Sequence, residues 1–282
     1  MVPKLEGKVG IITGAGHGMG AAHAVALARE GASVALVDIC RDQASVPVPG
    51  ATGSALARLV EEITALGRKA IPIARDVSKA AEVESMVERV VDEFGKIDIL
   101  VDNGGVCTFA PFWQVSEEQW DVTLDVNLKG TWLCAKYVVP HMIAQRSGRI
   151  VNIGSIDGRS PEPMHAHYGA SKGGVHNLTL AMAREVGAFN ITVNCIAPGG
   201  VMTPMFQWTG DTFGAVGNLE PQEFFDHFNK TLTIMNRQVY PEDVVNVMMW
   251  LVSEESWTIT GQVFFVDGGQ RGHMVPFDPQ GQ

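Results

Sequence analysis

Residues 13–20 read Thr-Gly-Ala-Gly-His-Gly-Met-Gly and stand between a short apolar strand pattern at 8–12 and a helical pattern at 19–30. Glycines here let the backbone turn sharply and approach a pyrophosphate closely, and the start of a helix offers free N–H groups to an anion. A glycine run alone is only weak evidence, because it also suits a tight turn, but the strand before it and the helix after it favour a dinucleotide site. The residues predicted to contact the dinucleotide at this turn are Gly14, His17, Gly18, Met19 and Gly20.

Strand and helix patterns alternate along the rest of the chain. The further strand patterns lie at 33–37, 69–74, 98–101, 149–153, 190–195 and 262–266, and the further helix patterns at 54–66, 80–94, 117–145, 167–186 and 241–252. Such alternation implies right-handed crossovers and a parallel sheet that is covered on both faces. We therefore expect an α/β protein with one doubly wound Rossmann fold and a mostly parallel seven-stranded sheet.

Three segments interrupt the alternation. Residues 41–53 are rich in Pro and Gly, residues 203–236 are rich in Phe, Trp and Met, and residues 271–282 form a polar tail. Because no long linker or internal repeat accompanies them, we interpret them as two insertions and a tail in a single domain that spans residues 1–282.

Composition narrows the range of functions. The chain has 282 residues, 46% of them hydrophobic, which is enough to bury a full core, and its net charge is −10. This balance argues against a nucleic-acid or anionic-membrane partner, both of which need clustered Lys and Arg. The four cysteines have neither disulfide-framework nor zinc-ligand spacing, and no signal segment or membrane span is evident, so a cytoplasmic location is expected.

An acidic residue follows the second predicted strand and points to the cofactor. Asp38 lies 18 residues after Gly20, where a carboxylate accepts hydrogen bonds from the ribose hydroxyls of NAD and repels the 2′-phosphate of NADP. Arg41 favours NADP instead, since an arginine near this point can pair with the 2′-phosphate. Asp76 and Val77 end the third strand, close to where an adenine would lie, although Asp76 alternatively serves only as a surface residue. The pattern favours NAD.

A tyrosine and a lysine point to the chemistry. Tyr168 and Lys172 lie four positions apart in a helical pattern and so share one face. A nearby ammonium lowers the pKa of a phenol, which can then exchange a proton with an alcohol or a ketone. Ser155 lies just past the fifth strand, at the sheet edge where ligands of such folds bind. The alternatives are a surface pair for the first two residues and a helix-capping role for the serine.

These motifs together resemble the short-chain dehydrogenase/reductase family over nearly the whole chain. The resemblance is carried by residues 13–20, Asp76-Val77, Asn127, Ser155, Tyr168-x-x-x-Lys172 and Pro198-Gly199. It implies that Tyr168 is the general acid/base, that Lys172 lowers its pKa and holds the nicotinamide ribose, that Ser155 orients the substrate oxygen, and that Asn127 kinks its helix and holds a proton-relay water.

The resemblance also extends the cofactor site. It implies contacts from Ile39, Asn103, Gly105, Pro198, Gly199, Val201 and Thr203, besides Tyr168 and Lys172. One departure is visible: the family's Asn-Asn-Ala-Gly reads Asp-Asn-Gly-Gly at 102–105, so that Asp102 replaces a residue thought to stabilise the sheet.

A closer resemblance rests on Val-Asp-Ile-Cys at 37–40 and the insertion that follows. Both are similar to the carveol dehydrogenase-like, mycofactocin-associated members of the family. That resemblance implies an insertion that covers the adenosine and holds NAD tightly. The alternative is a tolerated surface loop.

The substrate is expected to be hydrophobic. The family resemblance implies that residues 203–236 cover the active site, and the predicted pocket residues are Phe109, Phe112, Met164, His165, Met205, Phe206 and Trp208. Aromatic stripes in this segment are equally well explained as core or subunit contact. His165 and His167 lack further ligands, so no metal is expected.

The sequence thus predicts an NAD-dependent oxidoreductase that interconverts a terpenoid, alicyclic or aryl secondary alcohol and its ketone. The alternatives are an NADPH-dependent ketoacyl or quinone-type reductase and a non-catalytic nucleotide-sensing protein. The family resemblance implies a homotetramer or dimer that pairs through the helices predicted at 117–145 and 167–186.

Overall fold

The computed structural model describes residues 4–216 and 220–270. The strands are β1 (Val9–Thr13), β2 (Ser33–Asp38), β3 (Ala70–Ala74), β4 (Ile99–Asp102), β5 (Gly148–Ile153), β6 (Ile191–Pro198) and β7 (Val263–Val266). The helices are α1 (Gly18–Arg29), α2 (Gly53–Ala65), α3 (Ala80–Phe94), α4 (Glu117–Leu124), α5 (Thr131–Gln145), α6 (Ala166–Val186), α7 (Pro204–Val216), α8 (Pro221–Leu232) and α9 (Pro241–Val252). The tail predicted at 271–282 lies outside the described residues.

The seven strands form one sheet in the order β3-β2-β1-β4-β5-β6-β7. All six strand pairs are parallel, which confirms the predicted Rossmann fold. The strand order reverses between β1 and β4, and in open α/β sheets ligands bind at such a switch point, beyond the carboxyl ends of the strands. Thr13 and Asp102 end these two strands and therefore lie at the expected site edge.

The core lies on both faces of the sheet. One buried cluster joins α1, α2 and α9 to the strands, with Leu27, Leu36 and Met248 among its members. The other joins α3, α5 and the end of α6 to the opposite face. β1, β4, β5 and β6 are buried along their whole length, as strands of a sheet covered on both faces are, although β5 and β6 include the polar residues Arg149, Asn152 and Asn194.

The predicted long helix at 117–145 is interrupted. A π-helical segment at Asp125–Gly130 separates α4 from α5, and Asn127 lies inside it. The hydroxyl of Thr131 donates to the carbonyl of Asn127 at 2.9 Å. The helix is thus interrupted by a π-helical segment at the position where the resemblance implies a kink.

The segment at 203–236 contains two helices that the sequence analysis did not predict. Both start with proline at the first helical position, Pro204 in α7 and Pro221 in α8, which is the signal that was missed. The two helices pack through a buried aromatic cluster of Phe206, Phe224, Phe225 and Phe228. The structure therefore supports the interpretation that Phe224, Phe225 and Phe228 are core residues.

Within residues 4–216 and 220–270, no helix combines the length and the hydropathy that crossing a bilayer requires.

Candidate active site

The turn between β1 and α1 is built so that no side chain obstructs it. Gly14 and Gly18 have φ values of +62° and +57°, a region that side-chain-bearing residues avoid. A Cβ atom on Gly20 would overlap the carbonyl of Gly14, so the helix start and the turn touch through bare backbone. Asn103 donates to the carbonyls of Thr13 and Gly14, at 3.0 and 3.2 Å, and ties the turn to the end of β4.

Asp102, the residue that departs from the family pattern, contributes to this same turn. Its Oδ1 accepts a hydrogen bond of 2.8 Å from the hydroxyl of Thr13, which in turn accepts from the backbone of Asn103 and Gly104. Burial raises the pKa of Asp102 to about 6, although the Thr13 hydroxyl and the charge of Lys172 oppose that rise. Through Oδ1, Asp102 therefore joins β1 to the loop after β4, whereas its buried Oδ2 has no hydrogen-bond partner among the described residues.

The adenosine end carries two carboxylates. Asp38 accepts hydrogen bonds from the backbone N–H of Gly16 at 3.0 Å and of Cys40 at 3.1 Å. Asp76 accepts from the hydroxyl and N–H of Ser78 and pairs with Arg41, whose guanidinium lies 3.2 Å away. Both carboxylates are almost fully buried, so Asp76 is not the surface residue of the alternative interpretation.

A cleft of about 1030 Å³ runs along this edge of the sheet. The predicted cofactor residues that line it are Gly14, His17, Gly18, Met19, Asp38, Ile39, Asp76, Val77, Asn103, Gly105 and Thr203. Gly20 is absent from the lining because it packs against the turn from behind. A side-chain-free turn at a helix start, together with a fixed carboxylate at the end of β2, fits the pyrophosphate and the ribose of a dinucleotide.

The insertion at 41–53 forms one wall of this cleft. Val48 and Ala51 are buried, and a Cβ atom on Gly16 would collide with Ala51. Residues from Arg41 to Ala51 line the cleft beside Asp38. The insertion is thus packed onto the glycine turn, at the adenosine end where the closer resemblance places it, and is more than a tolerated surface loop.

A second cleft of about 820 Å³ continues from the first and holds the predicted catalytic groups. The two clefts share Met19, Asn103, Gly105, Thr203 and Met205. Ser155, Tyr168 and Lys172 line the second cleft together with Pro198, Gly199 and Val201. Three residues from the end of β5 and from α6 therefore converge where the dinucleotide cleft meets an apolar cavity.

Lys172 is held at the bottom of the second cleft. Its Nζ donates to the carbonyl of Ile153 at 2.8 Å and lies 5.7 Å from the centre of the Tyr168 ring. Burial lowers the pKa of Lys172, while nearby groups that include Asp102 and Asp157 oppose this change. The lysine is thus placed to contact both the tyrosine and a ligand in the cleft.

The expected lowering of the tyrosine pKa is wrong for this structure. Burial raises the pKa of Tyr168 well above its usual value, Cys107 and Asp157 raise it further, and the hydrogen bond with Ser155 opposes the rise. The sequence showed the neighbouring lysine but could not show how far the fold removes the phenol from water. A phenolate at Tyr168 accordingly needs a positive charge next to it.

Asn127 does not line either cleft. It is fully buried, its Oδ1 accepts from the N–H of Val106 at 2.8 Å, and its Nδ2 donates to the carbonyl of Val106 and to the hydroxyl of Ser171. The same Oδ1 lies just behind Gly105, as does Nζ of Lys172. Asn127 holds the loop after β4 in place, and its implied role in a proton relay stays a prediction.

A family model described as enoyl-(acyl carrier protein) reductase matches residues 14–271. A short-chain dehydrogenase/reductase of Hericium erinaceus is 42% identical over 93% of this chain and 97% of its own length. The chain belongs to the short-chain dehydrogenase/reductase family.

Solved structures give the same result. Carveol dehydrogenase from Mycobacterium avium in complex with NAD has a TM-score of 0.91 and 33% identity, and the match covers 95% of this chain and 98% of that one. A short-chain dehydrogenase from Mycobacterium paratuberculosis bound to NAD has a TM-score of 0.85 and 35% identity, with 94% and 98% covered. The first likeness confirms the resemblance to the carveol dehydrogenase-like group.

The apolar side of this short-chain dehydrogenase/reductase cleft matches the predicted pocket in part. The predicted residues that line it are Phe109, His165, Met205 and Phe206. Trp208 does not line the cleft but stacks on Phe109, with ring centres 4.7 Å apart, and Met164 packs against the aromatic cluster behind it. Phe112 is 69% exposed and lies outside the cleft, because the loop after β4 turns it towards solvent.

The opposite side of the cleft is polar, which the sequence analysis missed apart from His165. Nδ1 of His165 lies 3.4 Å from Oδ1 of Asp157. Burial alone lowers the pKa of His165, but the nearby Cys107 sulfur and the Asp157 carboxylate raise it to about 10. Glu162 and Gln270 line the same side. The position of Asp157, two residues after Ser155, was the only sequence signal for this wall.

The second histidine of the pair points elsewhere. Nε2 of His167 shares a hydrogen bond of 2.7 Å with the hydroxyl of Thr108, and the residue is fully buried away from the cleft. No group of three or more potential metal ligands comes together in the described part of the chain.

Proposed function

We propose that the protein is an NAD-dependent dehydrogenase that interconverts a hydrophobic secondary alcohol and its ketone. The observation that carries this proposal is that Ser155, Tyr168 and Lys172 line one cavity that is continuous with the dinucleotide cleft. A protein that only senses a nucleotide has no need of an acid/base group, its charged neighbour and a hydroxyl donor at that junction.

Several observations favour NAD over NADP. The Asp38 carboxylate is fixed at the end of β2 by two backbone N–H groups, where it accepts from ribose hydroxyls and repels a 2′-phosphate. Arg41, the residue that favours NADP, is already paired with Asp76. The two similar mycobacterial structures hold NAD. The alternative of an NADPH-dependent ketoacyl or quinone reductase is therefore the weaker one.

The residues divide the chemistry between them. Bound NAD supplies the hydride acceptor or, when reduced, the hydride donor. Ser155 directs its hydroxyl to the substrate oxygen and stabilises the charge that develops there. Tyr168 removes the hydroxyl proton during oxidation and returns it to the carbonyl oxygen during reduction. Lys172 provides the positive charge that a buried phenolate requires, and its remaining N–H groups bind the nicotinamide ribose.

The apolar walls set the preference for a hydrophobic ring. Phe109, Ile156, Val201 and Phe206 line the cavity, and α7 and α8 close it from outside through their phenylalanine cluster. The cavity adjoins the nicotinamide end of the cofactor cleft, and its apolar residues suit the ring of a cyclic alcohol.

Assembly is also part of the proposal. Three large apolar side chains are exposed on neighbouring helices, although such side chains are usually buried: Trp120 on α4, Trp132 on α5 and Leu180 on α6. We propose that these helices pair copies of the chain into a tetramer or dimer. Light scattering on the purified protein tests this, and a monomer at micromolar concentration would contradict it.

The activity is tested by oxidation of cyclic and aryl secondary alcohols with NAD, followed at 340 nm, in the wild type and in Tyr168→Phe. Removal of the phenol hydroxyl is expected to lower kcat by at least about 10³-fold while NAD binding, measured by calorimetry, changes little. Gln207→Met, on the exposed face of α7, serves as the control. Turnover by the Phe variant close to that of the wild type would refute the assignment.

A further inference from the structure

A cysteine, a histidine and an aspartate are connected along the catalytic cavity. Sγ of Cys107 lies 3.9 Å from Nε2 of His165, and Nδ1 of the same ring lies 3.4 Å from Oδ1 of Asp157. All three residues line the cavity. A nucleophile, a ring that exchanges its proton and a carboxylate that orients the ring are the parts of an activated thiol. The proposed dehydrogenase chemistry has no role for this thiol.

Cys107 belongs to the lining of the cavity and is no more hidden than the serine proposed to contact the substrate. Its exposed fraction is 4%, against 7% for Ser155. Cys134 and Cys195 are fully buried and line neither cleft, and the partly exposed Cys40 also lies outside both linings. A small molecule that enters the catalytic cavity therefore meets Cys107 and, within the described part of the chain, no other cysteine.

The histidine is suited to activate the sulfur. Oδ1 of Asp157 faces Nδ1 of His165, which leaves Nε2 directed to Cys107. The Cys107 sulfur and the Asp157 carboxylate raise the pKa of His165 to about 10, so the ring is cationic at neutral pH. A cationic ring beside a sulfur stabilises the thiolate, which is the nucleophilic form of cysteine. The carbonyl of Thr108, also 3.9 Å from the sulfur, only accepts hydrogen bonds and gives a thiolate no such support.

The rest of the cavity indicates which electrophile fits. Ser155 and Tyr168 line it as the groups that bind a ketone oxygen in the proposed function, and the His165 ring lies 5.6 Å from the Tyr168 ring. A small ketone can therefore contact both the tyrosine and the side of the cavity that holds the sulfur. Phe109 and Phe206 make the other walls apolar, which disfavours charged electrophiles. Conjugated ring enones combine a ketone, an apolar ring and an electrophilic β-carbon.

We propose that Cys107 is a covalent modification site at which conjugated ring enones add to the sulfur. The thiolate forms a bond to the β-carbon, the electron pair of the carbon–carbon double bond moves towards the carbonyl, and the proton on Nε2 of His165 passes to the α-carbon. The product is a thioether that carries a saturated ketone, so no group leaves and no external oxidant or reductant is needed. The inference goes beyond the proposed function and takes from it only the place of the ketone oxygen.

The experiment incubates the full chain with 2-cyclohexen-1-one in the presence of NAD, which cannot reduce the ketone, and follows the labelled peptides by mass spectrometry. Cys107 is expected to be labelled at least about tenfold faster than the more exposed Cys40, whose pKa is raised by burial and by the charge of Asp38. His165→Gln removes the cationic ring and is expected to slow the labelling of Cys107 by at least about tenfold while Cys40 is labelled as before. His227→Gln, exposed on α8, is the matched control.

Two further measurements guard against loss of fold. Labelling of the fully buried Cys134 and Cys195 reports an unfolded variant. If His165→Gln unfolds, Asp157→Asn replaces it, and the labelling of Cys107 is expected to slow by at least about threefold because the imidazolium has lost its carboxylate partner.

The outcomes are distinguishable from those of the dehydrogenase assay. Faster labelling of Cys40 than of Cys107, no labelling of Cys107, or an unchanged Cys107 rate in His165→Gln overturns the inference. Oxidation of cyclic alcohols by unlabelled protein tests the proposed function separately. Enone treatment is expected to stop this oxidation in the wild type, whereas Cys107→Ser keeps its own untreated rate. Full retention of the oxidation by labelled wild-type protein would contradict a modification inside the cavity.

Discussion

The hydroxyl of Ser155 donates a hydrogen bond to Oδ2 of Asp157 at 3.2 Å and accepts one from the backbone N–H of Asp157 at 3.1 Å. The serine oxygen therefore has a defined position before any substrate arrives, and its single proton has to turn from Asp157 to the substrate oxygen when the substrate binds. The same carboxylate holds the imidazole of His165, so the hydroxyl that orients the substrate and the polar wall of the cavity share one anchor. Asp157 thus acts through Ser155 as a positioning residue.

Asp157→Asn keeps the shape of the side chain and removes its charge. Since the Asp157 charge contributes to the raised pKa of Tyr168, its loss lowers that pKa. The rising limb of the pH profile for alcohol oxidation is expected to move to lower pH, and kcat at pH 7 to change by less than about tenfold. A purely structural role would reduce kcat without moving the limb, and Asp92→Asn, exposed on α3, is the matched control.

The choice of cofactor depends on Asp38. In Asp38→Ala the hydrogen-bond acceptor for the ribose hydroxyls is lost and the repulsion of a 2′-phosphate is removed. KM for NAD is expected to rise by about 10- to 100-fold while kcat/KM for NADP improves, in keeping with the loss of about 1.5–3 kcal/mol from a charged hydrogen bond. Steady-state kinetics with both nucleotides measure this. An unchanged preference for NAD would show that other residues determine it.

Elements that depend on local pattern were predictable from the sequence. The glycine turn, the buried strands and the Tyr168–Lys172 pair each carry their signal within a few residues, because close backbone approach, burial on both faces and helical spacing constrain neighbouring positions. The kink at Asn127 was anticipated only through the family resemblance. The helices α7 and α8 were missed because their phenylalanines suggested a pocket wall, whereas they mostly pack against one another.

Features that depend on distant parts of the chain were not predictable. Gln270 meets Glu162 across 108 residues, so no local pattern announces the polar wall. The direction of the Tyr168 pKa follows from its burial, which only the folded structure reveals. Phe112 is exposed although it is as apolar as Phe109, because the path of the loop after β4 decides which of the two faces the cavity.

A three-ring stack links α7 to the cavity. Phe109 lies between His165 and Trp208, with ring centres 4.4 and 4.7 Å apart and nearly parallel planes. Trp208 lies on α7, whereas the rings of Phe109 and His165 lie in the cavity wall. Removal of the Trp208 ring therefore loosens the packing of α7 over the substrate. Trp208→Ala is expected to lose about 1–2 kcal/mol of stacking and to raise KM for a bulky alcohol more than KM for NAD.

The control for this change is Trp257→Ala, a highly exposed tryptophan that lines neither cleft. Its KM values are expected to stay within about twofold of those of the wild type. Equal increases in both KM values for Trp208→Ala would contradict a role in substrate cover.

His23 makes the fold sensitive to acid. It is fully buried in α1, neither ring nitrogen has a hydrogen-bond partner, and burial lowers its pKa from 6.5 to about 4. Above pH 6.5 the imidazole is neutral in the folded and unfolded states alike. Between pH 6.5 and 4 the unfolded chain binds a proton that the folded chain excludes, so the free energy of unfolding falls as the pH falls, by about 3 kcal/mol in total.

His23→Leu is expected to remove this share of the acid sensitivity while it leaves the stability at pH 7.5 unchanged or slightly higher, since a buried ring without partners is replaced by an apolar side chain. Denaturant unfolding at pH 7.5 and 4.5, at one protein concentration, measures the difference.

The other buried histidines affect stability in two ways. Burial also lowers the pKa values of His167 and His176, so the free energy of unfolding of the variant still falls somewhat as the pH falls. His165, with its pKa raised to about 10, contributes stability that is complete below pH 6.5 and is lost only as the pH rises towards 10. His227→Gln, exposed on α8, is expected to retain the wild-type slope. If His23→Leu lost as much stability between the two pH values as the wild type does, the acid sensitivity would have to come from groups other than this imidazole.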